Sequence, residues 1–206
     1  MNKVYYFSGT GNSFYVAKRI SEYLNAGMAP IVLISDEDTV TADTIAFVFP
    51  IYDSKPPKVV TDKLRHLKHL KADKVVGIAT YGVALASSLK HFENTVSHLG
   101  SELTHGYGIK MPHNAVGNMG FTEIEIQNTL NEADKKIVQV INRLSKRDHE
   151  VIEKTSIFEG GTLLRQLPHV LKLLGLLIFK GPKALKFKVT ETCILDSRQH
   201  ITMLAD

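Results

Sequence analysis

The sequence predicts an α/β protein, a parallel sheet wound by helices, and three observations carry that expectation. Short β-branched and aromatic runs alternate with stretches whose apolar residues recur at helical spacing. The run Thr44-Ile45-Ala46-Phe47-Val48-Phe49 is apolar nearly throughout, as a strand covered on both faces must be. A glycine-rich turn, Ser8-Gly9-Thr10-Gly11-Asn12-Ser13, separates the first strand from the first helix, at the edge where open α/β sheets bind their ligands.

Val4-Tyr5-Tyr6-Phe7 is the first strand. From Ser13 the period changes, and Ala17, Ile20 and Leu24 mark one face of a helix with Lys18, Arg19 and Glu22 between them. Ile31 to Ile34 reads as the second strand and Thr44 to Phe49 as the third. Pro57 suits the first turn of a helix reaching about Leu70. Val75 to Thr80 is the fourth strand, and Ala84 to Leu99 a helix closed by Gly100. A fifth strand covers roughly Glu102 to Met111. Ile126, Leu130, Ala133, Ile137, Val140, Ile141 and Leu144 then form the stripe of the longest helix. Composition shifts near Gly160-Gly161, so residues 1–160 read as one ligand-binding domain and 161–206 as an appendage of short helices.

The composition limits the functional classes. With 206 residues, 44% hydrophobic and 22% charged, the chain can bury a core without disulfides or a structural metal. Its single cysteine, Cys193, allows no intrachain disulfide, which suits a reducing cytoplasm. The first residues lack a signal-peptide pattern, and the apolar stretch Val170 to Phe179 is interrupted by Lys172 and too short to span a bilayer. The basic residues behind the net charge of +4 are not one block: some lie in Lys55–Lys74 and others in Lys172–Lys188, without the interleaved aromatics or reading motif of a nucleic-acid binder. His66 and His69, three apart on the predicted helix, are half a metal site that no other residue completes, so no metal is expected.

The turn at residues 8–13 carries the chemistry. A helix N-terminus offers unpaired N–H groups and a partial positive charge, which suits a phosphate. Gly9 and Gly11 permit a tight turn and close approach of the backbone, while Ser8, Thr10, Asn12 and Ser13 add short polar side chains. No Lys or Arg lies in the turn, which excludes a Walker loop. Phe14 stands where the third glycine of a dinucleotide fingerprint would be. A terminal phosphate monoester is the best match.

Tyr6-Phe7-Ser8-Gly9-Thr10-Gly11-Asn12-Ser13 resembles the FMN-phosphate signature of flavodoxins. It is most similar to the subgroup whose flavodoxin domain is fused to a bacterial-type ferredoxin domain. Phe49-Pro50-Ile51-Tyr52, Thr80-Tyr81-Gly82 and Met111-Pro112-His113-Asn114 also resemble that subgroup, each just after a predicted strand. The likeness covers about residues 3 to 160. It implies a doubly wound, five-stranded sheet of flavodoxin-like order 2-1-3-4-5 with bound FMN. The cofactor site implied is Ser8 to Ser13, Pro50, Ile51, Tyr52, Asp53, Thr80, Tyr81, Gly82 and Asn114, with Tyr52 and Tyr81 flanking the flavin ring and no catalytic side chain.

Two features depart from the subgroup. Asp53-Ser54 replaces a pair of glycines where the backbone needs an unusual angle. Lys186 to Ile194 resembles the lead-in to the first iron–sulfur motif of the ferredoxin half, yet Cys193 has no companion cysteines, so that half is missing here. The resemblance therefore implies a cytoplasmic electron-transfer flavoprotein with a redox protein partner, acidic or a ferredoxin. The alternatives are an FMN-dependent oxidoreductase acting on a quinone or other small acceptor, and a flavin-free interaction module. The apolar residues from Val170 to Phe179 need cover from the domain, from a second copy in a homodimer, or from a partner.

A [4Fe–4S] cluster needs four thiolates or close substitutes, and this sequence offers one. Anaerobically purified protein is expected to hold no stoichiometric iron or acid-labile sulfide. Finding both would contradict the cysteine count.

Overall fold

The computed structural model describes residues 1–35, 39–112, 122–145, 151–153, 185–188 and 202–205. A parallel sheet is wound by four helices: β1 (Lys3–Tyr6), α1 (Asn12–Leu24), β2 (Gly27–Pro30), β3 (Thr39–Pro50), α2 (Lys58–Arg65), β4 (His69–Tyr81), α3 (Ser88–Ser97), β5 (His105–Lys110), α4 (Glu123–Ser145) and β6 (Val151–Ile152). The strand order is β2-β1-β3-β4-β5-β6, the flavodoxin-like order extended by a sixth strand. Every pairing in this sheet is parallel.

Alternation along the buried strands builds two cores. Val4, Ala46, Val48, Val76, Ile78, Tyr107 and Ile109 share one cluster with Val16 and Ile20 of α1 and Ile137 and Val140 of α4. Ile45, Phe47, Phe49, Val75 and Ala79 face the other way, onto Val60 and Leu64 of α2 and Leu89, Phe92 and Val96 of α3. Phe92 wedges between Phe49 and Phe47, with ring centroids 4.6 and 5.6 Å away. The continuous apolar run of β3 is thus the sum of two alternating faces, each covered by helices.

Several boundaries differ from the sequence expectation, each for a local reason. The second strand is Gly27–Pro30, and Ile31–Leu33 is a 3-10 turn. There Ile31 and Ile34 are buried while Val32 and Leu33 are exposed, a spacing of three that a strand cannot give. The helix after Pro57 ends at Arg65, and Leu70 already belongs to β4. His66 and His69 therefore do not share a helix, and the described residues contain no group of three metal-ligating side chains. β3 and β4 pair beyond the reach of β1 and β5, from Thr39↔His69 to Pro50↔Thr80. α3 begins at Ser88, four residues later than expected, and ends at Ser97, two residues before the expected Leu99, with Gly100 just beyond at φ +70°.

β6 is the strand that sequence reading missed. It is two residues long, and the adjoining Glu153 anchors it: the Glu153 carboxylate accepts the Gly108 N–H at 3.0 Å and pairs with Lys136 of α4 at 2.5 Å. In the C-terminal part, expected to hold short helices and the ferredoxin-type lead-in, Leu185–Lys188 and Thr202–Ala205 form antiparallel strands β7 and β8. The rest of the appendage, including the apolar stretch at 170–179 and Cys193, lies outside the described residues. No helix among the described residues is long and apolar enough to cross a membrane.

Gly77 lets α3 pack onto β4, because a Cβ there would stand 2.8 Å from the buried Phe92 ring. Gly77→Ala is expected to cost about 1–3 kcal/mol in urea unfolding. Gly27→Ala, with nothing within 4 Å of its Cβ position, should be neutral within about 1 kcal/mol. Equal effects at both positions would contradict this packing.

Candidate functional site

Four loops meet at the carboxyl edge of the sheet: residues 7–11 after β1, 51–57 after β3, 82–87 after β4, and the chain that leaves β5 at Met111. The chain runs from β1 through α1 to β2 on one side and then returns to β3 on the other, so the crevice of the topological switch point lies between β1 and β3.

The first loop is held from within and from below. Ser8 Oγ accepts the Gly11 N–H at 3.0 Å, closing the turn. Gly11 stands at the α1 N-cap with φ +95°, in the left-handed region that glycine enters without strain, and the cap has no side-chain hydrogen bond. The first-turn amides of α1 therefore point to the crevice edge, as an anion would require. Ser13 is buried, its hydroxyl 2.7 Å from the buried Thr80 hydroxyl of β4. Asn12 donates its side-chain amide to the Pro112 carbonyl at 2.9 Å. Thr10 is exposed at the tip of the turn.

The tip of β4 also fixes the two neighbouring loops. The Thr80 carbonyl accepts Ile51 N–H at 3.0 Å, and the Tyr81 carbonyl accepts Met111 N–H at 2.8 Å. Pro50, the last residue of β3, pairs in register with Thr80. Thr80 thus holds both Ser13 of α1 and Ile51 of the loop after β3.

Tyr52 reaches across the crevice. Its hydroxyl lies 2.6 Å from where a Cβ on Gly9 would stand, so only glycine at position 9 permits this approach. Its ring meets Phe7 edge-on, with centroids 6.5 Å apart. Half of Tyr52 remains exposed, 50% by relative area, and partial burial raises its phenol pKa. Tyr52 and Lys55 exchange backbone hydrogen bonds of 2.9 and 3.1 Å across a two-residue turn. Asp53 and Ser54 both sit there at positive φ, +49° and +63°, the primed turn that glycines occupy most easily. The chain thus keeps the conformation of a glycine pair while carrying side chains, at a cost of about 1–2 kcal/mol per residue. Ser87 Oγ donates to the Ser54 carbonyl at 3.3 Å and ties the turn to the loop before α3.

Tyr81 leans toward β5, where its ring edge lies 3.0 Å from the Cβ position of Gly108. Gly82 comes next in the same loop, half-buried. Asn114 and His113 lie outside the described residues. Of the sequence-predicted residues, those from 8–13, 50–53 and 80–82 are gathered at one edge; the hydroxyls of Ser13 and Thr80 are engaged with each other. Sequence reasoning missed Phe7, the Ser87 tie and the Pro112 carbonyl. Phe7 and Pro112 lie inside the motifs Tyr6–Ser13 and Met111–Asn114, whereas nothing in the sequence pointed to Ser87.

Behind the site, Tyr15 of α1 donates to Asp134 of α4 at 2.5 Å, and Arg19 reaches both the Tyr15 oxygen at 3.1 Å and Asp134 at 3.3 Å. The Asp134 hydrogen bond, and then burial, raise the Tyr15 phenol pKa. This cluster locks α1 against α4 and so fixes the direction of the α1 N-terminus.

No family model matches the chain, and no curated protein matches it. Several solved structures are similar at low identity. An FMN-dependent NADH-azoreductase from Bacillus anthracis is 11% identical over 70% of this chain and 99% of its own, with a TM-score of 0.48. A flavodoxin from Megasphaera elsdenii is 16% identical over 66% and 99%, with a TM-score of 0.39. The Trp repressor binding protein of Bacillus subtilis is 15% identical over 72% and 99%, with a TM-score of 0.44. Likenesses this distant say nothing of ligand or reaction. The flavodoxin-like architecture rests on the strand order of the chain itself.

Proposed function

We propose that the chain is an FMN-binding, flavodoxin-like electron-transfer protein. One observation carries this reading: an uncapped helix N-terminus, reached through Gly9 and Gly11 at the β1/β3 crevice, with the Tyr52 phenol against Gly9. That arrangement suits a ligand with a phosphate at one end and a flat ring at the other. The first-turn amides of α1 and the Thr10 hydroxyl would hold the phosphate, and Tyr52 and Tyr81 would bury part of the ring while leaving an edge wet. FMN supplies one- and two-electron chemistry when bound; the protein positions it and tunes its surroundings. Asn12 and Ser13 serve by holding the turn in place.

The exposure of the mouth favours a carrier over an enzyme with a closed substrate pocket. Tyr52, Asp53, Ser54 and Lys55 are all exposed, which leaves this side open to a macromolecular partner. An FMN-dependent oxidoreductase acting on a quinone or other small acceptor would use the same loops. Such an enzyme would show steady-state turnover with the small acceptor alone, whereas the carrier reading expects slow exchange without a protein partner.

The phosphate reading is tested by comparing ligands that differ only there. Wild-type protein should bind FMN more tightly than riboflavin in fluorescence-quenching titrations, and Thr10→Ala should weaken FMN by about 1–3 kcal/mol with little change for riboflavin. Equal affinity of the wild-type chain for the two flavins would sink the proposal.

A further inference from the structure

The two helical layers that cover the sheet differ in charge. Residues 53–68 and 87–100, which form α2, α3 and their flanking turns, contain six Lys or Arg and three Asp or Glu. α1 and α4 together contain five of each. Ion pairs within the layer leave its excess of positive charge unchanged. On the α2/α3 layer, Asp62 pairs with Arg65 at 3.8 Å and Glu93 with Lys90 at 2.9 Å, which engages two of its three carboxylates. Lys55, Lys58 and Lys68 are exposed.

The position of this charge matters more than its amount. Lys55 closes the turn that holds Tyr52, and Lys58 is the first residue of α2, so both border the crevice mouth. Arg65 and Lys68 continue the same layer toward the far end of α2, about 12 Å away. At the mouth an exposed aromatic ring is bordered by lysines, an apolar centre with a polar rim, as protein interfaces are built. A nucleic acid fits less well. Its affinity comes from many phosphate contacts, and the carboxylates of Asp53, Asp62 and Glu93 interrupt this surface.

We infer that this face docks a small acidic protein, with Tyr52 at the centre of the contact and Lys55 and Lys58 steering it. Basic charge around the mouth raises the encounter rate with such a partner and orients it toward the crevice. That the partner exchanges electrons there rests on the flavin reading above; the docking does not.

The test measures binding of a small acidic bacterial ferredoxin to the full chain with no flavin added, by isothermal titration calorimetry at 20 and 300 mM salt. Wild-type affinity is expected to fall at least tenfold between the two. The double variant Lys55→Glu/Lys58→Glu should lose at least tenfold at 20 mM, while Lys18→Glu/Lys135→Glu, on exposed positions of the opposite layer, should bind as wild type. Absence of binding at 20 mM salt, an unaffected Lys55/Lys58 variant, or equal losses in both variants would each overturn the inference. Circular dichroism melts of both variants confirm that they are folded. Because flavin is absent, a failure of FMN to bind would overturn the flavin reading alone.

Discussion

The tip of β4 is the point on which the site depends. β4 is paired on both sides, by β3 and β5, with eleven register positions to β3 along its length and six to β5 that reach Tyr81. Where a parallel strand ends, its polar groups still need partners. Here they find them in three neighbouring loops: Thr80 Oγ1 takes Ser13 of α1, the Thr80 carbonyl takes Ile51, and the Tyr81 carbonyl takes Met111. One rigid strand end therefore sets the height of the α1 N-terminus, the tyrosine turn and the exit from β5. The Ser13–Thr80 pair is buried, so breaking it leaves an unsatisfied hydroxyl and costs more than the bond itself contributes.

Features set by local demands were legible in the sequence, and features set by distant partners were not. β3 was legible because burial on both faces requires an apolar run, and the turn at residues 8–13 because close backbone approach requires glycine. The end of α3 was legible in Gly100, whose positive φ is a local demand. β2 was misread: Ile31-Val32-Leu33-Ile34 has strand composition, but burial of Ile31 and Ile34 against α2 obeys a spacing of three. The true strand, Gly-Met-Ala-Pro, has weak propensity and is defined by its pairing with β1. β6 was invisible for the same reason, since two residues carry no period and their place is set by β5 and Lys136. At the carboxyl edge, the loops that gather there were legible, and what each of their side chains touches was not. Ser13 and Asn12 look like ligand contacts in the motif, yet the fold uses their side chains to anchor it.

Asp53-Ser54 shows how a local rule can be broken without changing the structure. Both residues occupy the left-handed region, and the turn survives because the Tyr52–Lys55 backbone pair and the Ser87 hydroxyl constrain it from outside. Its side chains and Lys55 then add charge beside the exposed Tyr52 ring. The mouth gains chemical character from positions where glycines would have left bare backbone. The described edge offers aromatic faces, backbone amides and hydroxyls.

The central claim is that the turn at residues 8–13 encloses a phosphate monoester at the α1 N-terminus. The most direct measurement is the phosphorus-31 resonance of FMN titrated into the protein and followed across pH. Free FMN phosphate takes up its second proton near pH 6, whereas a dianion held by helix amides should resist it. The account predicts a bound resonance, distinct from free FMN, that stays constant from about pH 8 down to about pH 5. A bound flavin whose phosphate titrates like that of free FMN would place the phosphate in solvent and contradict the account.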